Sequence, residues 1–345
     1  MRTHDVQWGI LGAGKIARVF AADLAAAGLR VAAVGARDPG RAARFARETG
    51  IGRSHRSYEA LVTDPDVDAV YVATPQPFHA EHALLAIEAG RAVLVEKSFT
   101  ADAPEAERLV ASARSRSVFL MEAMWTRFLP AFAELRAELA RGSVGELRSL
   151  VTHHFQRLDD SPTGRHYDPA LGGGAVADLG VYGISCAFHL LGAPHRITAT
   201  GSATTDGVDT SASVRMRHDG GTSSTTLTGM DTPGPNSAAV IGTEGWIELH
   251  PYWFTGTGFT RYDAGRPGRV LRRYDPPRTA GRGLHFQALE VERCLREGVP
   301  ESPLAPLDES VAVMRALDEI RAAVLGGAEP VPGAVPARPA GRRWD

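Results

Sequence analysis

Short apolar runs alternate with alanine-rich helical segments through the first 125 residues, and this alternation restricts the possible folds more than any other feature. The runs lie at 6–11, 31–36, 69–73, 92–95 and 118–121, with helical patterns at 16–27, 40–49, 79–89 and 103–113 between them. Strands that are apolar at every position are buried on both faces, as in a parallel sheet covered by helices. Residues 1–125 are therefore predicted to form an α/β domain with a parallel sheet.

The pattern of the sequence changes after about residue 143. Helical patterns are predicted at 175–191, 285–297 and 307–325, and Thr/Ser/Val-rich strands at 197–204, 211–218, 222–228, 238–241, 246–249 and 270–274. Strands separated by glycine-containing turns are typical of an antiparallel sheet with hairpins. We predict a second, α+β domain over 126–328, followed by a flexible tail rich in Pro, Gly and Ala at 329–345.

The bulk composition agrees with two soluble domains. A length of 345 residues exceeds that of most single cores, and a net charge of −2 offers no electrostatic attraction for nucleic acid or an anionic membrane. The sequence shows no signal-peptide pattern and no apolar run of membrane-spanning length. The two cysteines are interpreted as reduced thiols. We expect a cytoplasmic protein.

A glycine-rich turn follows the first predicted strand. Residues 9–17 read GILGAGKIA, in which Gly12, Gly14 and Ala17 occupy the positions of a G-x-G-x-x-G/A pattern. Gly12 permits the tight turn, Gly14 allows a pyrophosphate to approach the backbone, and Ala17 allows close helix packing. Because the next helix points its positive end at the turn, Ala13, Lys15 and Ile16 complete a predicted dinucleotide site.

The end of the second predicted strand indicates which dinucleotide binds. NAD sites usually place an acidic residue there for the ribose 2′-hydroxyl, whereas NADP sites place arginine nearby. Here Ala36 is followed by Arg37, and Arg41 lies one helical turn later, while Asp38 comes too late to be the obvious ribose partner. We predict NADP(H) as cofactor, with NAD(H) the less favoured alternative.

Four stretches resemble the Gfo/Idh/MocA family of oxidoreductases: GILGAGKIA, VYVATPQPFH (70–79), VEKSF (95–99) and GGGAVADLGVYGIS (172–185). Two more, FLMEAMWTRFLP (119–130) and VERCLREGVPESPL (291–304), resemble most the branch containing dimeric dihydrodiol dehydrogenases and NADP-linked sugar dehydrogenases. The resemblance implies a Rossmann domain followed by an α+β domain with an open, mostly antiparallel sheet. It also implies a carbohydrate-like small-molecule substrate and a homodimer, or a higher homo-oligomer, formed through the exposed sheet face.

Lys97 is one of two lysines in the chain, against 36 arginines, and it ends a buried strand together with Glu96. A lysine amine can change its pKa and release a proton, whereas a guanidinium stays charged, so a lysine here suggests chemistry. The resemblance places Lys97 and Glu96 in the family's E-K-P motif, with the lysine beside the nicotinamide. Ser98 replaces the family's proline.

The family's D-x-G-x-H-x-x-D motif corresponds to Asp178, Gly180, Tyr182 and Ser185. Asp178 and Tyr182 are four residues apart and therefore share one face of a helix. A tyrosine in place of histidine needs a lowered pKa to act as a base at neutral pH, and the Lys97 ammonium is expected to lower it. We predict Tyr182 as general acid/base, Lys97 as its activator and Asp178 as the residue that orients the lysine.

Further candidates border this centre. Thr74, Pro75 and His79 match the loop that in the family lies against the nicotinamide ribose. Trp125 and Arg127 follow the fifth strand at the domain crossing and are predicted to contact substrate. His154 is a third candidate for substrate contact; it and His153 are adjacent on a strand and face opposite sides, so we expect no metal site.

These residues predict an NADP(H)-dependent oxidoreductase acting on a hydroxyl or carbonyl of a sugar, polyol or cyclic diol. A nucleotide-sugar ketoreductase of a biosynthetic pathway would use the same lysine–tyrosine pair. A non-catalytic dinucleotide sensor is the alternative from another class, but a sensor has no need of Lys97 and Tyr182.

Overall fold

The first sheet of the computed structural model is parallel throughout and has the strand order β3-β2-β1-β4-β5-β6. The model describes residues 5–158, 164–327 and 330–331. The elements of this part are β1 Gln7–Leu11, α1 Lys15–Ala26, β2 Arg30–Gly35, α2 Pro39–Thr49, β3 Arg53–His55, α3 Tyr58–Val62, β4 Ala69–Val72, α4 His79–Glu88, β5 Ala92–Glu96, α5 Ala103–Ser115 and β6 Leu120–Ala123.

The predicted parallel sheet is confirmed, and its strands are buried for the reason that their composition indicated. Every residue of β4 and β5 is buried, and Phe20 of α1 stacks on Tyr71 with ring centroids 3.9 Å apart. The elements β3 and α3 were not predicted, because the polar edge strand Arg53–His55 carries no apolar run and the five-residue helix α3 is too short to show a helical period. Since β1 pairs with both β2 and β4, the strand order reverses beside β1, where such sheets bind ligands.

The second sheet has the order β14-β13-β12-β11-β7-β10-β9-β8-β15. Its pairings are antiparallel except β10 with β7 and β15 with β8. The elements are α6 Pro130–Ala140, β7 Leu147–Phe155, a π-helical turn Val176–Gly180, α7 Val181–Leu191, β8 Arg196–Thr204, β9 Asp209–Arg217, β10 Ser223–Gly229, β11 Ala238–Gly242, β12 Gly245–Leu249, β13 Phe259–Asp263, β14 Val270–Tyr274, α8 His285–Glu297, α9 Leu307–Gly327 and β15 Pro330–Val331.

The open, mostly antiparallel sheet is confirmed, and one of its faces carries α7 and α9. Helix α7 lies very close to the sheet, since a Cβ on Gly183 would be 2.4 Å from Thr152 Oγ1. The prediction of a helix over 175–191 needs one correction: its first turn is a π-helical turn, and α7 begins at Val181. The elements α6 and β13 were not predicted.

The C-terminal helices bind the two sheets together. Trp8 of β1 donates its indole N–H to Glu292 of α8 at 3.0 Å. Ser310 of α9 donates to buried Glu122 of β6 at 2.8 Å, and the backbone N–H of Ala103 donates to Asp318 at 2.8 Å. Side chains from both sheets are therefore held at fixed positions across the cleft between them.

One stretch, Pro169–Leu191, is long and apolar enough to cross a membrane, but 78% of its most apolar window is buried inside the protein. Its helical part, the π-helical turn and α7, packs on the second sheet. Two residues of the predicted tail, Pro330–Val331, pair with Ala203 and Thr204 of β8. The rest of that tail lies outside the described residues.

Candidate active site

A cleft of about 780 Å³ lies at the carboxyl ends of the first sheet's strands and extends to the π-helical turn of the second domain. We refer to it as the main cleft. Every predicted catalytic and cofactor-binding residue lines it, together with one predicted substrate residue: Gly12, Ala13, Gly14, Lys15, Ile16, Arg37, Arg41, Thr74, Pro75, His79, Glu96, Lys97, Trp125, Asp178 and Tyr182.

The glycine turn has the form that a pyrophosphate requires. Gly12 has φ 107°, and a Cβ at this position would be 2.9 Å from the Ala73 carbonyl oxygen. Helix α1 begins at Lys15, has no side-chain cap and carries no acidic residue in its first turn. Its first N–H groups and its positive end therefore face the cleft without competition from a side-chain anion.

Two arginines, Arg37 and Arg41, line the main cleft beside the end of β2. The Arg37 guanidinium lies 5.7 Å from the centroid of the Phe78 ring, and Arg41 donates to the Ala13 carbonyl at 3.3 Å. Asp38 caps helix α2, since its Oδ1 accepts from the Gly40 N–H at 2.9 Å. The acid nearest to the end of β2 is thus engaged in capping a helix. An adjoining recess is lined by Ala13, Gly14, Lys15, Arg18, Arg41 and Arg44.

Lys97 and Asp178 form an ion pair that joins the two domains. Lys97 Nζ donates to Asp178 Oδ1 at 2.7 Å and to the Asp178 backbone oxygen at 2.8 Å. Burial alone would lower the pKa of Lys97, but the charge of Asp178 outweighs it and raises that pKa above its usual value. Burial alone would raise the pKa of Asp178, yet Lys97 and Arg165 lower it to about 2.

Both groups of this pair therefore stay charged at working pH. The raised pKa of Lys97 favours the ammonium form, which is the form predicted to act on Tyr182. Its contribution is a fixed positive charge, 5.2 Å from the centroid of the Tyr182 ring.

Tyr182 is held by aromatic neighbours and by one hydrogen bond. Its oxygen accepts from Trp125 Nε1 at 3.0 Å, and its ring meets the edge of His154 with centroids 5.0 Å apart. Burial raises the pKa of Tyr182, while Lys97 and the Trp125 bond lower it by less, so that the pKa lies above its usual value. The predicted net lowering by Lys97 is thus corrected: the ammonium acts in the expected direction, but desolvation of the phenolate is larger.

Two buried titratable groups lie beside the pair. Glu96 accepts a hydrogen bond from the Tyr71 hydroxyl, and burial raises the pKa of Glu96 to about 7. His79 has Nδ1 3.0 Å from the Ser98 carbonyl oxygen and Nε2 2.8 Å from the Thr74 carbonyl oxygen. Burial lowers the pKa of His79 to about 4, and a neutral imidazole can donate to only one of these carbonyls.

A side cavity of about 470 Å³ opens from the main cleft beyond Tyr182. His154 forms part of its wall and stacks on Phe254 with centroids 3.9 Å apart. His154 Nδ1 donates to the Leu179 carbonyl at 3.1 Å, so its Nε2 accepts from Gln156 at 2.8 Å. Burial lowers the pKa of His154 to about 3, which keeps the ring neutral. Aromatic faces beside polar groups suit a molecule with an apolar face and several hydroxyls.

Several residues that line these two spaces were not predicted from the sequence. Gln156 could have been found, because it follows His154 by two residues and thus faces the same side as that strand residue. The others come from loops, from short 3-10 turns and, for Tyr58, from the first residue of the five-residue helix α3, where no period indicates which way a side chain points. They are Tyr58, Gln76, Arg165, His166, Phe254, Thr255, Thr279 and Arg282.

Arg127 lies outside both spaces, contrary to the substrate contact predicted for it. Its guanidinium pairs with Glu309 of α9 at 2.5 Å and donates to Ser185 Oγ at 2.6 Å. It therefore joins the turn after β6 to helices α7 and α9. His153 faces away from the cavity, with Nδ1 2.9 Å from Ser237 Oγ. Within the described ranges, no group of three or more His, Cys, Asp or Glu side chains is arranged to hold a metal ion.

Comparisons with known proteins agree with this architecture. Residues 6–124 match the GFO_IDH_MocA oxidoreductase family with its NAD-binding Rossmann fold, and residues 132–248 match the GFO/IDH/MocA C-terminal domain. Trans-1,2-dihydrobenzene-1,2-diol dehydrogenase of Mus musculus is 36% identical over 92% of this chain and 97% of that protein. The Homo sapiens enzyme of the same name is 35% identical at the same coverage.

Solved structures share the fold over nearly the whole chain. A 3-ketoreductase from Actinomadura kijaniata in complex with NADP and TDP-benzene has a TM-score of 0.79 and 27% identity, covering 95% of this chain and 99% of that one. Levoglucosan dehydrogenase in complex with NADH and levoglucosan shares the fold with a TM-score of 0.84 at 20% identity, covering 94% of this chain and 98% of that one. With both domain matches and full-length relatives above 30% identity, this chain belongs to the GFO/IDH/MocA family of oxidoreductases.

Proposed function

We propose that this protein is an NADP(H)-dependent oxidoreductase that moves a hydride between nicotinamide and a CH–OH or carbonyl carbon of a sugar, polyol or cyclic diol. One observation carries the proposal. Lys97 from the first domain and Tyr182 from the second meet where the main cleft opens into the side cavity. A cofactor in the cleft and a substrate in the cavity would both reach this pair.

The residues that would hold the dinucleotide lie along the main cleft. The turn at Gly12 and Gly14 and the start of α1 would take the pyrophosphate, and Arg37 and Arg41 would take a 2′-phosphate. The capping role of Asp38 supports NADP(H) over NAD(H). The Actinomadura relative, at 27% identity, was solved with NADP. When bound, the nicotinamide supplies the hydride acceptor or donor.

Tyr182 would handle the proton. In reduction its hydroxyl gives the proton to the developing alkoxide, and in oxidation its phenolate takes the proton from the substrate hydroxyl. The Lys97 ammonium and the Trp125 N–H stabilise the phenolate, while Asp178 holds the ammonium in place. The phenol carries its proton at neutral pH, as a tyrosine ordinarily does, and burial raises the pKa of Tyr182 further. Such assistance is typically worth ~10²–10⁴ in rate.

The substrate class rests on the cavity and on the relatives. The curated relatives are named for a cyclic dihydrodiol, and the stacked His154 and Phe254 offer a flat wall for such a ring. A nucleotide-sugar ketoreductase is the second candidate, favoured by the 3-ketoreductase solved with TDP-benzene. Arg165 in the main cleft and Arg282, which lines both spaces, could receive the phosphates of such a substrate.

A non-catalytic sensor is less well supported. It would need the glycine turn, but it would gain nothing from an ion pair and a phenol placed together at the mouth of a second cavity. We also propose a cytoplasmic homodimer formed through the open face of the second sheet, as the resemblance implies. Size-exclusion chromatography with light scattering tests the dimer.

A substrate panel tests the enzymatic proposal. Purified protein is assayed by the absorbance of reduced nicotinamide with cyclic diols, aldoses, ketoses and nucleotide-linked ketosugars, each with NADP(H) and with NAD(H). The Tyr182→Phe variant serves as the control for contaminating enzymes. We expect turnover with NADP(H) on at least one class, lost in the variant. Tight NADPH binding without turnover on any class would support the sensor instead.

A further inference from the structure

Three successive carbonyl groups of the π-helical turn accept hydrogen bonds from side chains outside it. Such turns widen the helix locally and are frequent at functional sites. Two of the donors come from the end of β5 in the first domain, and the third comes from β7. The bonds are Ser98 Oγ to the Ala177 oxygen at 2.6 Å, Lys97 Nζ to the Asp178 oxygen at 2.8 Å, and His154 Nδ1 to the Leu179 oxygen at 3.1 Å.

Ser98 lies at the centre of this junction. It is 3% exposed, and its own carbonyl oxygen lies 3.0 Å from His79 Nδ1 on the first-domain side. Its hydroxyl reaches across to Ala177 on the second-domain side. The proline that stands here in the family's E-K-P motif has no hydroxyl and could not make this bond.

We propose that Ser98 is a positioning residue, whose hydroxyl fixes the orientation of Lys97 relative to Tyr182 across the domain junction. This inference rests on the proposed function. Lys97 and Ser98 are adjacent, and so are the carbonyls of Asp178 and Ala177 that receive them. Both Lys97 bonds are made by the end of a long side chain, whereas the Ser98 hydroxyl bonds close to the backbone and so limits rotation of the segment that carries the lysine. The lysine–tyrosine separation is therefore set at two points.

The Ser98→Ala variant tests the inference. Without the hydroxyl, the Ala177 carbonyl loses the Ser98 donor, and the end of β5 is held to the π-helical turn by the Lys97 bonds. We expect kcat to fall about tenfold, because misplacement of reacting groups is costly and a hydrogen bond across the junction is lost. We expect the dissociation constant for NADPH to stay within about twofold, because the glycine turn and the arginines are unchanged.

The pH dependence of kcat separates a positioning role from a structural one. Lys97 lowers the pKa of Tyr182, so a looser lysine should move the Tyr182-dependent limb of the kcat profile to higher pH, by about half a unit. Ser98→Cys retains a weak donor of similar shape and should fall between wild type and Ser98→Ala in both kcat and limb position.

Ser224→Ala is the matched control. Ser224 is also buried, and its Oγ lies 2.9 Å from His218 Nε2, within the second sheet and outside both spaces. The Ser224→Ala variant should leave the pH dependence of kcat unchanged. Wild-type kcat with a wild-type pH profile in Ser98→Ala overturns the inference about Ser98 alone. Wild-type turnover in Lys97→Met overturns the proposed function beneath it, so the two failures are distinguishable.

Discussion

The indole N–H of Trp125 donates a hydrogen bond to the phenol oxygen of Tyr182 at 3.0 Å, and it joins the turn after β6 to helix α7. An indole can only donate, so the phenol oxygen must be the acceptor, and its own proton is left free for another group. Two residues beyond Trp125, Arg127 donates to Ser185 on the same helix. The turn and the helix are thus joined at two points. These bonds hold Tyr182 where the main cleft meets the side cavity.

Removal of the indole donor should weaken catalysis while the fold is retained. In Trp125→Phe the phenolate loses one stabilising hydrogen bond, so we expect kcat to fall by about fivefold to tenfold. The limb of the kcat–pH profile that reports the ionisation of Tyr182 should move to higher pH, because the bond from Trp125 lowers the pKa of Tyr182. Trp246→Phe, in which the lost ring stacks on Tyr262 away from the cleft, is the control. An unchanged profile in Trp125→Phe would show that the indole only fills space.

The choice of cofactor should depend on the two arginines at the end of β2 and the start of α2. The double variant Arg37→Ala/Arg41→Ala should raise KM for NADP⁺ by about 10–100-fold, because each guanidinium bound to phosphate contributes a strong charge-assisted bond. The KM for NAD⁺ should change by less than about threefold, since NAD⁺ lacks the 2′-phosphate. Arg47→Ala, in the last turn of the same helix, is the matched control. Equal losses with both cofactors would contradict the predicted preference.

The buried carboxyl of Glu96 should make stability depend on pH. Its pKa is raised from 4.5 to about 7, so the folded protein holds this proton to higher pH than the unfolded chain does. The contribution to stability is full below about pH 4.5 and is lost as the pH rises to about 7, by about 3 kcal/mol.

Glu96→Gln tests this dependence. The variant cannot titrate at this position, yet its amide oxygen can still accept from Tyr71. Chemical unfolding at pH 5 and pH 8 should show a smaller difference in unfolding free energy for the variant than for wild type. The same difference in both proteins would show that the carboxyl titrates normally in the fold.

Much of the architecture could be predicted because a strand that is buried on both faces is apolar at every position, whereas a strand that is buried on one face alternates apolar and polar residues. The apolar runs ending at Leu11 and Val95 indicated a parallel sheet, and the glycine turn indicated its ligand. Arg53–His55 was missed because an edge strand with polar side chains has no such run. The paired positions of Lys97 and Tyr182 followed from a resemblance, and no spacing along the chain brings residues 97 and 182 together.

The pKa shifts and hydrogen-bond partners at the site were harder to predict than which residues line it. The sign of the pKa shift of Tyr182 depends on the balance between desolvation and the charge of Lys97, and burial is a property of the folded protein. Arg127 resembled a substrate ligand by its position at the domain crossing, but its partners Ser185 and Glu309 come from helices far along the chain. The bond from Ser98 to Ala177 likewise depends on a π-helical turn that the helical pattern concealed.

We propose that catalysis requires the fixed positive charge of Lys97, which the Lys97→Met variant removes. The substitution would remove the partner nearest to Asp178 and leave that carboxylate with the more distant Arg165 and His166, so Lys97→Met/Asp178→Asn is prepared beside it to remove the poorly compensated charge. Single-turnover hydride transfer and NADPH affinity are then measured for both variants and for wild type. We predict hydride transfer slowed by about 10²–10⁴ in both, with the NADPH dissociation constant within about threefold of wild type. Hydride transfer at the wild-type rate in either variant would contradict the account.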